Sequence, residues 1–116
     1  MADKNIRILV VDDFATLRMS LKSVLEQLGY SGIDEAANGQ EAVGKLNGKD
    51  YDLIITDIDM PVMNGFELLS YVRKDDDLKN IPVIFITAEA EREKIVESIK
   101  AGLDAYITKP FSISTL

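Results

Sequence analysis

The stretch Ile6-Arg7-Ile8-Leu9-Val10-Val11-Asp12-Asp13 decides the fold. Toward Val11 it is β-branched and apolar on both faces, which is typical of a strand buried on both sides of a parallel sheet. From Phe14 to Leu28 the apolar residues recur at helical spacing, and Gly29 supplies a C-terminal stop. The segment therefore predicts a strand that leads directly into a helix, with two carboxylates at the junction.

The same alternation continues along the chain. Apolar runs predict further strands at 33–36, 53–57, 82–87 and 105–108, and the segments between them predict helices at 40–46, 66–74 and 91–101. Strands that alternate with helices indicate an α/β fold with a parallel sheet and right-handed crossovers. We therefore predict one domain, residues 1–116, with a doubly wound five-stranded parallel sheet.

The end of the chain departs from this pattern. It stops at Ser112-Ile113-Ser114-Thr115-Leu116, where a fifth helix is expected to begin. A doubly wound sheet that lacks this helix would leave part of one apolar face uncovered and prone to association. We therefore expect the sequence to be truncated before a fifth helix.

The composition excludes several classes of function. Lys and Arg number 13 against 20 Asp and Glu, and the net charge of −7 argues against nonspecific binding to nucleic acid or anionic membranes. With no Cys and no His, thiolate nucleophiles, imidazole bases and the usual zinc ligands are excluded. No apolar run approaches the roughly 20 residues of a membrane span, and a signal-peptide core is lacking, so we expect a cytoplasmic protein.

Polar residues stand where the predicted strands end. Sites in an open parallel sheet form beyond the carboxyl ends of the strands, at the point where strand order reverses. Alone, each residue has a simpler interpretation, because an Asp at a strand-helix junction is commonly an N-cap and a Lys before proline is commonly solvated. The residues at these ends are Asp12, Asp13, Asp57, Thr87 and Lys109.

Together these residues indicate phosphoryl chemistry. Three carboxylates within several ångströms repel one another by about 4 kcal/mol per close pair at an effective dielectric of roughly 20. Either one carboxyl takes a proton through a raised pKa, or a cation lies among them. Oxygen ligands with several waters favour Mg²⁺, with Mn²⁺ as a substitute. A lysine and a hydroxyl beside the metal can stabilise a phosphoryl group while Asp57, the best nucleophile candidate, attacks in line to give an aspartyl phosphate.

These motifs resemble the receiver domains of two-component response regulators. The match spans nearly the whole chain, in the family's order, through Asp12-Asp13, Asp57 with Met60-Pro61 and Gly65, Thr87-Ala88, and Lys109-Pro110-Phe111. Within the family, Asp13-Phe14, Thr87-Ala88-Glu89-Ala90 and Tyr106 look most like the chemotaxis regulators. The resemblance implies a flavodoxin-like fold with strand order 2-1-3-4-5.

The resemblance also implies a magnesium site. Mg²⁺ would be bound by the carboxylates of Asp13 and Asp57, by Asp12 through water and by the backbone carbonyl of Asp59. Asp59 departs from the family pattern, because chemotaxis regulators usually carry an asparagine there. Its extra negative charge should alter the approach of a phosphodonor or of water, so we hypothesise a phosphate lifetime different from that of an Asp59→Asn variant.

The remaining residues would transfer and report the phosphoryl group. Asp57 would accept it from a histidine kinase, and Thr87 and Lys109 would contact its oxygens. Movement of Thr87 would let Tyr106 turn inward and change the output surface. The partners implied are the kinase, a downstream target protein, for which the flagellar motor switch is a candidate, and a phosphatase. The protein would be a switch that catalyses its own phosphorylation and dephosphorylation, not an enzyme with a separate substrate.

Other interpretations stay open. A Mg²⁺-dependent phosphatase of the haloacid dehalogenase type would use Asp57 and Asp59 as nucleophile and acid, although in those enzymes this motif follows the first strand. A flavodoxin-like cofactor binder would need a phosphate loop after the first strand, where Asp12 and Asp13 would repel phosphate. A non-phosphorylated scaffold would bind no Mg²⁺. A receiver fragment of a larger regulator would share every motif.

Overall fold

The computed structural model describes residues 5–58, 60–87 and 102–108, with the backbone alone at 87 and 106–108. The helix predicted at 91–101, the site candidates Asp59 and Lys109, and the end of the chain where a fifth helix is expected lie outside these ranges.

Strands and helices alternate from residue 7 to residue 87, as the sequence predicts. The agreement is close because β-branched runs form the strands and helically spaced apolar residues form the helices. Each strand boundary falls within one residue of the prediction. The elements are β1 (Arg7–Val11), α1 (Ala15–Gln27), β2 (Gly32–Ala36), α2 (Gly39–Leu46), β3 (Leu53–Asp57), α3 (Gly65–Lys74), β4 (Val83–Thr87) and β5 (Ala105–Thr108).

The strands form one five-stranded sheet in the order β2-β1-β3-β4-β5. Every neighbouring pair is parallel. The strand order reverses direction between β1 and β3, since the chain moves from β1 outward to β2 and then back across β1 to β3. The prediction of a doubly wound parallel sheet with order 2-1-3-4-5 is confirmed.

Two apolar clusters cover the two faces of the sheet. On one face, Ile8 and Val10 of β1 pack with Leu21 and Leu25 of α1. On the other face, the alternate residues of β1 pack with residues of α2 and α3, including Ala42, Leu46, Leu68, Leu69 and Val72. Alternation of side chains across the sheet explains why β1 is apolar at every position from Ile8 to Val11. No helix in the described part of the chain is long and apolar enough to cross a membrane.

Helices α2 and α3 begin one residue earlier than the periodicity predicts. Asn64 caps α3 through a capping box, because its side chain accepts from the N–H of Glu67 and the Glu67 side chain accepts from the N–H of Asn64. The Asn38 side chain likewise caps α2, accepting from the N–H of Glu41. An N-cap with a side-chain acceptor fixes the start of a helix more firmly than its first apolar residue does. The glycines that follow these asparagines are therefore helical.

Candidate metal centre

The register of the sheet sets two acids side by side. In the parallel pairing of β1 with β3, Val11 lies opposite Thr56. Asp12 directly follows Val11 and Asp57 directly follows Thr56, so both stand level at the carboxyl edge of the sheet. This edge lies at the reversal of strand order, where ligands of open parallel sheets bind.

Asp13 completes a cluster of three carboxylates. One carboxylate oxygen from each of Asp12, Asp13 and Asp57 lies within 4.8 Å of the others. Asp12 is only 4% exposed and Asp57 9% exposed, whereas Asp13 is exposed at the mouth of the cluster. At such separations each ionised pair repels by about 3 kcal/mol at an effective dielectric of roughly 20. Oxygen donors with this charge, open to water on one side, fit a hard divalent cation such as Mg²⁺.

Asp12 is held at its backbone and at its side chain. Its N–H donates to the carbonyl of Ala36 at 3.1 Å, and its Oδ1 accepts from the N–H of Phe14 at 2.8 Å. The N-cap of α1 is Phe14, which makes no side-chain cap bond. The alternative that Asp12 or Asp13 is the N-cap is therefore wrong. The short turn between β1 and α1 instead uses the Asp12 carboxylate to bind the backbone two residues on.

Arg18 binds the backbone of the same turn. Its Nη1 donates to the backbone carbonyl of Asp12 at 2.5 Å, and its Nε donates to Oε1 of Glu35 at 3.2 Å. Glu35 lies on β2, where Lys22 approaches its carboxylate at 3.9 Å and Lys45 donates to its backbone carbonyl. Periodicity places Arg18 on α1 but gives no signal for its contact with Glu35, because that contact depends on how β1 and β2 pair.

The loop after β3 folds back against Asp57. The N–H of Gly65 donates to the carbonyl of Ile58 at 2.8 Å, and the Thr56 hydroxyl donates to the carbonyl of Asp57 at 2.9 Å. The start of α2 also binds this loop, since the N–H of Gly39 donates to the carbonyl of Met63 at 3.1 Å. Hydrogen bonds from the end of β3, from the start of α3 and from the start of α2 therefore restrain the backbone at and after Asp57.

Val62 carries backbone strain at the tip of this loop. Its φ is 70°, and the N–H of Met63 donates to the carbonyl of Pro61 at 2.7 Å, which is a γ-turn centred on Val62. A β-branched residue with positive φ is a steric outlier, and such residues concentrate near functional sites. Sequence reasoning missed it, because valine is among the residues least expected there.

Of the remaining candidate site residues, the structure describes the backbone of Thr87 and Tyr106 and does not describe Lys109 or Asp59. Asp57 pairs with Ile86, so Thr87, the last residue of β4, stands one residue further toward the carboxyl edge. On β5, Tyr106 is opposite Phe85 and Thr108 is opposite Thr87. Lys109 follows β5 in sequence and lies, like Asp59, outside the described residues. The roles of all these residues stay predictions.

Comparison with known proteins assigns the family. The sequence profile of the response regulator receiver domain matches residues 8–116. The chain belongs to the response regulator receiver family. It is 46% identical over 114 residues to the chemotaxis protein CheY-3 of Vibrio cholerae, covering 98% of this chain and 88% of that protein. It is 43% identical over 110 residues to the chemotaxis protein CheY of Pseudomonas aeruginosa, covering 95% and 89%.

Solved receiver structures have the same architecture. The chain superimposes on the chemotaxis response regulator CheY4 of Vibrio cholerae with a TM-score of 0.87 and 35% identity, covering 96% of this chain and 92% of that one. A CheY-like receiver protein from Methanospirillum hungatei gives a TM-score of 0.84 with 36% identity, covering 96% and 86%. This receiver is therefore a CheY-type domain that serves phosphorylation-dependent signalling.

Proposed function

We propose that this receiver accepts a phosphoryl group on Asp57 from a histidine kinase, with Mg²⁺ bound beside it, and then changes the surface that a downstream protein reads. One observation carries the proposal. Three carboxylate oxygens converge within 4.8 Å at the carboxyl edge of the sheet, and Asp57 stands at the end of β3 with 9% of its surface exposed. A carboxylate placed this way is accessible at one edge and otherwise shielded from water.

The transfer step follows from the chemistry of the acceptor. One carboxylate oxygen of Asp57 attacks the phosphorus of a phosphohistidine, the P–N bond breaks, and the leaving imidazole nitrogen takes up a proton from solvent. Asp12, Asp13 and Asp57, with the backbone carbonyl of Asp59, would hold Mg²⁺. When bound, Mg²⁺ supplies positive charge against the oxygens of the transferring group. The fixed loop backbones around Asp12 and Asp57 keep the acceptor in position for in-line attack.

Two further residues would stabilise the phosphorylated state. Thr87 would donate a hydrogen bond to the phosphoryl oxygens and Lys109 would pair with them. The position of Thr87 at the end of β4, beside the strand that carries Asp57, supports this role. Tyr106 on the neighbouring β5 would turn inward as Thr87 moves, and the population of the output state would shift accordingly.

The relatives indicate the pathway. Two of them are named chemotaxis proteins. We therefore propose that residues 1–116 act as one receiver domain in chemotaxis, in the cytoplasm, with a histidine kinase upstream, a protein of the flagellar motor switch downstream and a phosphatase that resets the signal. A receiver that belongs to a larger regulator would use the same site.

Intact-mass measurement after incubation with acetyl phosphate and Mg²⁺ tests the proposal. We expect wild type to gain one phosphoryl group, and Asp57→Asn and wild type in EDTA to gain none. Asp50→Asn is the matched control, because it removes an exposed carboxylate at the opposite end of β3. Phosphorylation of Asp57→Asn at the wild-type level would refute Asp57 as the acceptor. Sustained turnover of a phosphomonoester, with no stable adduct, would instead favour the haloacid dehalogenase interpretation.

A further inference from the structure

Arg18 connects the turn that carries two of the acids to the edge strand of the sheet. From the first turn of α1 its guanidinium donates to the Asp12 carbonyl at 2.5 Å and to Glu35 on β2 at 3.2 Å. The Arg18 side chain is 18% exposed, so most of this contact is shielded from solvent. A planar guanidinium can hold two acceptors at a fixed mutual angle, which a lysine ammonium cannot.

We propose that Arg18, oriented by Glu35, is a positioning residue of the metal centre. Arg18 sets the backbone of the β1–α1 turn so that Asp12 and Asp13 face Asp57. This inference rests on the proposed function, because it assumes that the three acids bind a divalent cation. It adds a residue that touches neither the metal nor the phosphoryl group.

The backbone of Asp12 shows why one contact matters. The N–H of Asp12 donates to Ala36 and its Oδ1 accepts from the N–H of Phe14, while the Arg18 bond restrains its carbonyl, which belongs to the peptide that joins Asp12 to Asp13. Loss of that bond leaves the peptide between Asp12 and Asp13 less restrained, so we expect the Asp13 carboxylate to move away from Asp57. Outer partners of this kind commonly change metal affinity on the order of 10-fold to 100-fold.

A purely electrostatic role for Arg18 predicts the opposite change in cation affinity when Arg18 is removed. If Arg18 acted only as a positive charge near the acids, its removal would make the site more negative and tighten cation binding. If Arg18 positions the turn, its removal weakens binding. The charge-conserving variant Arg18→Lys separates the two roles further, because a pure charge effect leaves affinity unchanged and a positioning effect does not.

Calorimetric titration with Mn²⁺ alone, on the unphosphorylated chain, tests the proposal. We expect Arg18→Gln to bind Mn²⁺ on the order of tenfold more weakly than wild type, and Arg18→Lys to lie between the two. Lys22→Gln is the matched control, because Lys22 is one helical turn away on α1 and approaches the same Glu35 carboxylate at 3.9 Å. This variant removes equal charge while leaving the Arg18 bond to Asp12 in place, so we expect its affinity to stay within about twofold of wild type.

The outcomes separate this inference from the proposed function. Wild type that takes up no Mn²⁺ would overturn both. Wild-type binding that is lost in Asp13→Asn, together with unchanged or tighter binding in both Arg18 variants, would overturn only the positioning role. Each variant is titrated well below its own melting temperature, which is measured in EDTA. A general loss of stability then does not lower the measured Mn²⁺ affinity. If Arg18→Gln does not fold, the affinity of Arg18→Lys decides, and a wild-type value for that variant overturns the proposal.

Discussion

Gly65 lies against the carbonyl of Asp57 so closely that a Cβ atom at position 65 would stand 2.5 Å from the Asp57 oxygen and 2.9 Å from the Cα of Ile58. Both atoms belong to backbone, so neither can move without shifting the strand end that carries the acceptor. Glycine is needed here for space. The same residue closes the loop through its hydrogen bond to Ile58, so the site and the start of α3 are built on one close contact.

Replacing Gly65 with alanine is expected to cost about 2 to 3 kcal/mol of unfolding free energy and to reduce phosphorylation of Asp57. The physical reason is the clash of the new methyl group with the backbone at Asp57. Urea denaturation measures the first effect and acetyl phosphate labelling the second. Gly44→Ala is the control, because a methyl group at position 44 would have nothing within 4 Å and alanine stabilises a helix interior by about 0.5 to 1 kcal/mol. Equal stability of the two variants would contradict the close contact.

Val62→Asn is expected to stabilise the folded chain by about 1 kcal/mol. Positive φ at a β-branched residue costs on the order of 1 to 3 kcal/mol, and asparagine tolerates this region. Val62 is 72% exposed, so little apolar burial is lost. Met19→Asn is the control, because Met19 is 67% exposed within regular helix α1, where asparagine should cost about 0.5 kcal/mol. A loss of stability in Val62→Asn, measured by urea denaturation, would contradict the strain.

Most of the fold could be predicted because each strand carries its own signal. The run that ends at Val11 is apolar at successive positions, and the structure buries it on both faces. Helix starts were predicted less well, since the periodicity begins at Phe66 while the cap at Asn64 starts α3 at Gly65. Asn64 followed three residues later by Glu67 is the sequence pattern of a capping box, and a prediction from hydrophobic periodicity alone does not take it into account.

The acid cluster could be predicted, but the residues that hold it could not. Asp12 and Asp57 each end an apolar strand, so a parallel sheet must bring them to one edge. Arg18 contacts Glu35 because β2 pairs beside β1, and the positive φ of Val62 lies in the loop that the hydrogen bond of Gly65 to Ile58 closes. These features arise from tertiary packing and have no local pattern in the sequence.

Arg73 connects the end of α3 to the turn before β5 by hydrogen bonds, and replacing it is expected to lower the free energy of unfolding. Its Nε donates to the carbonyl of Gly102 at 2.8 Å, its Nη1 to the carbonyls of Lys79 at 3.0 Å and Ile81 at 2.6 Å, and its Nη2 to Asp104 at 2.6 Å. A lysine cannot make these bonds together, so Arg73→Lys should lose about 2 to 3 kcal/mol.

Urea denaturation and hydrogen exchange at the Val83 amide check this prediction. That amide donates to Oδ2 of Asp104 at 2.8 Å, the same oxygen that Arg73 binds, so its exchange should become faster in Arg73→Lys. The neighbouring exposed residue gives the control, since Lys74→Ala should change stability by less than about 0.5 kcal/mol. If Arg73→Lys has the stability and the Val83 exchange rate of wild type, the hydrogen bonds of Arg73 contribute nothing to stability.

Tyr51 and Asp34 form a hydrogen-bonded pair whose contribution to stability should depend on pH. The Tyr51 hydroxyl donates to Oδ2 of Asp34 at 2.6 Å. Burial of the phenol, together with its bond to Asp34 and the charge of that carboxylate, raises the pKa of Tyr51 to about 12. The same bond, helped by the positive charge of Lys49, lowers the pKa of Asp34.

The signs of these shifts define the pH window. Tyr51 is harder to deprotonate in the folded chain, so its contribution is complete below the ordinary tyrosine pKa of about 10 and is lost as the pH rises toward 12. Asp34 is easier to deprotonate when folded, so its contribution is present above the ordinary aspartate pKa of about 4 and is lost as the pH falls through the lowered value. Between these limits the pair contributes fully.

Tyr51→Phe should therefore lose about 1 to 2 kcal/mol of unfolding free energy near neutral pH, and the difference from wild type should shrink above about pH 10 and below about pH 4. Phenylalanine keeps the buried ring and removes only the hydroxyl. Urea denaturation across this pH range gives the measurement. Tyr71→Phe is the control, because among the described residues its hydroxyl accepts a single long hydrogen bond, from Nδ2 of Asn47 at 3.4 Å, and its loss should cost about 0.3 kcal/mol. A Tyr51→Phe deficit that stayed constant from neutral pH to pH 11 would contradict the raised pKa, since ionisation of a phenol with the same pKa in the folded and unfolded chain would leave the stability unchanged.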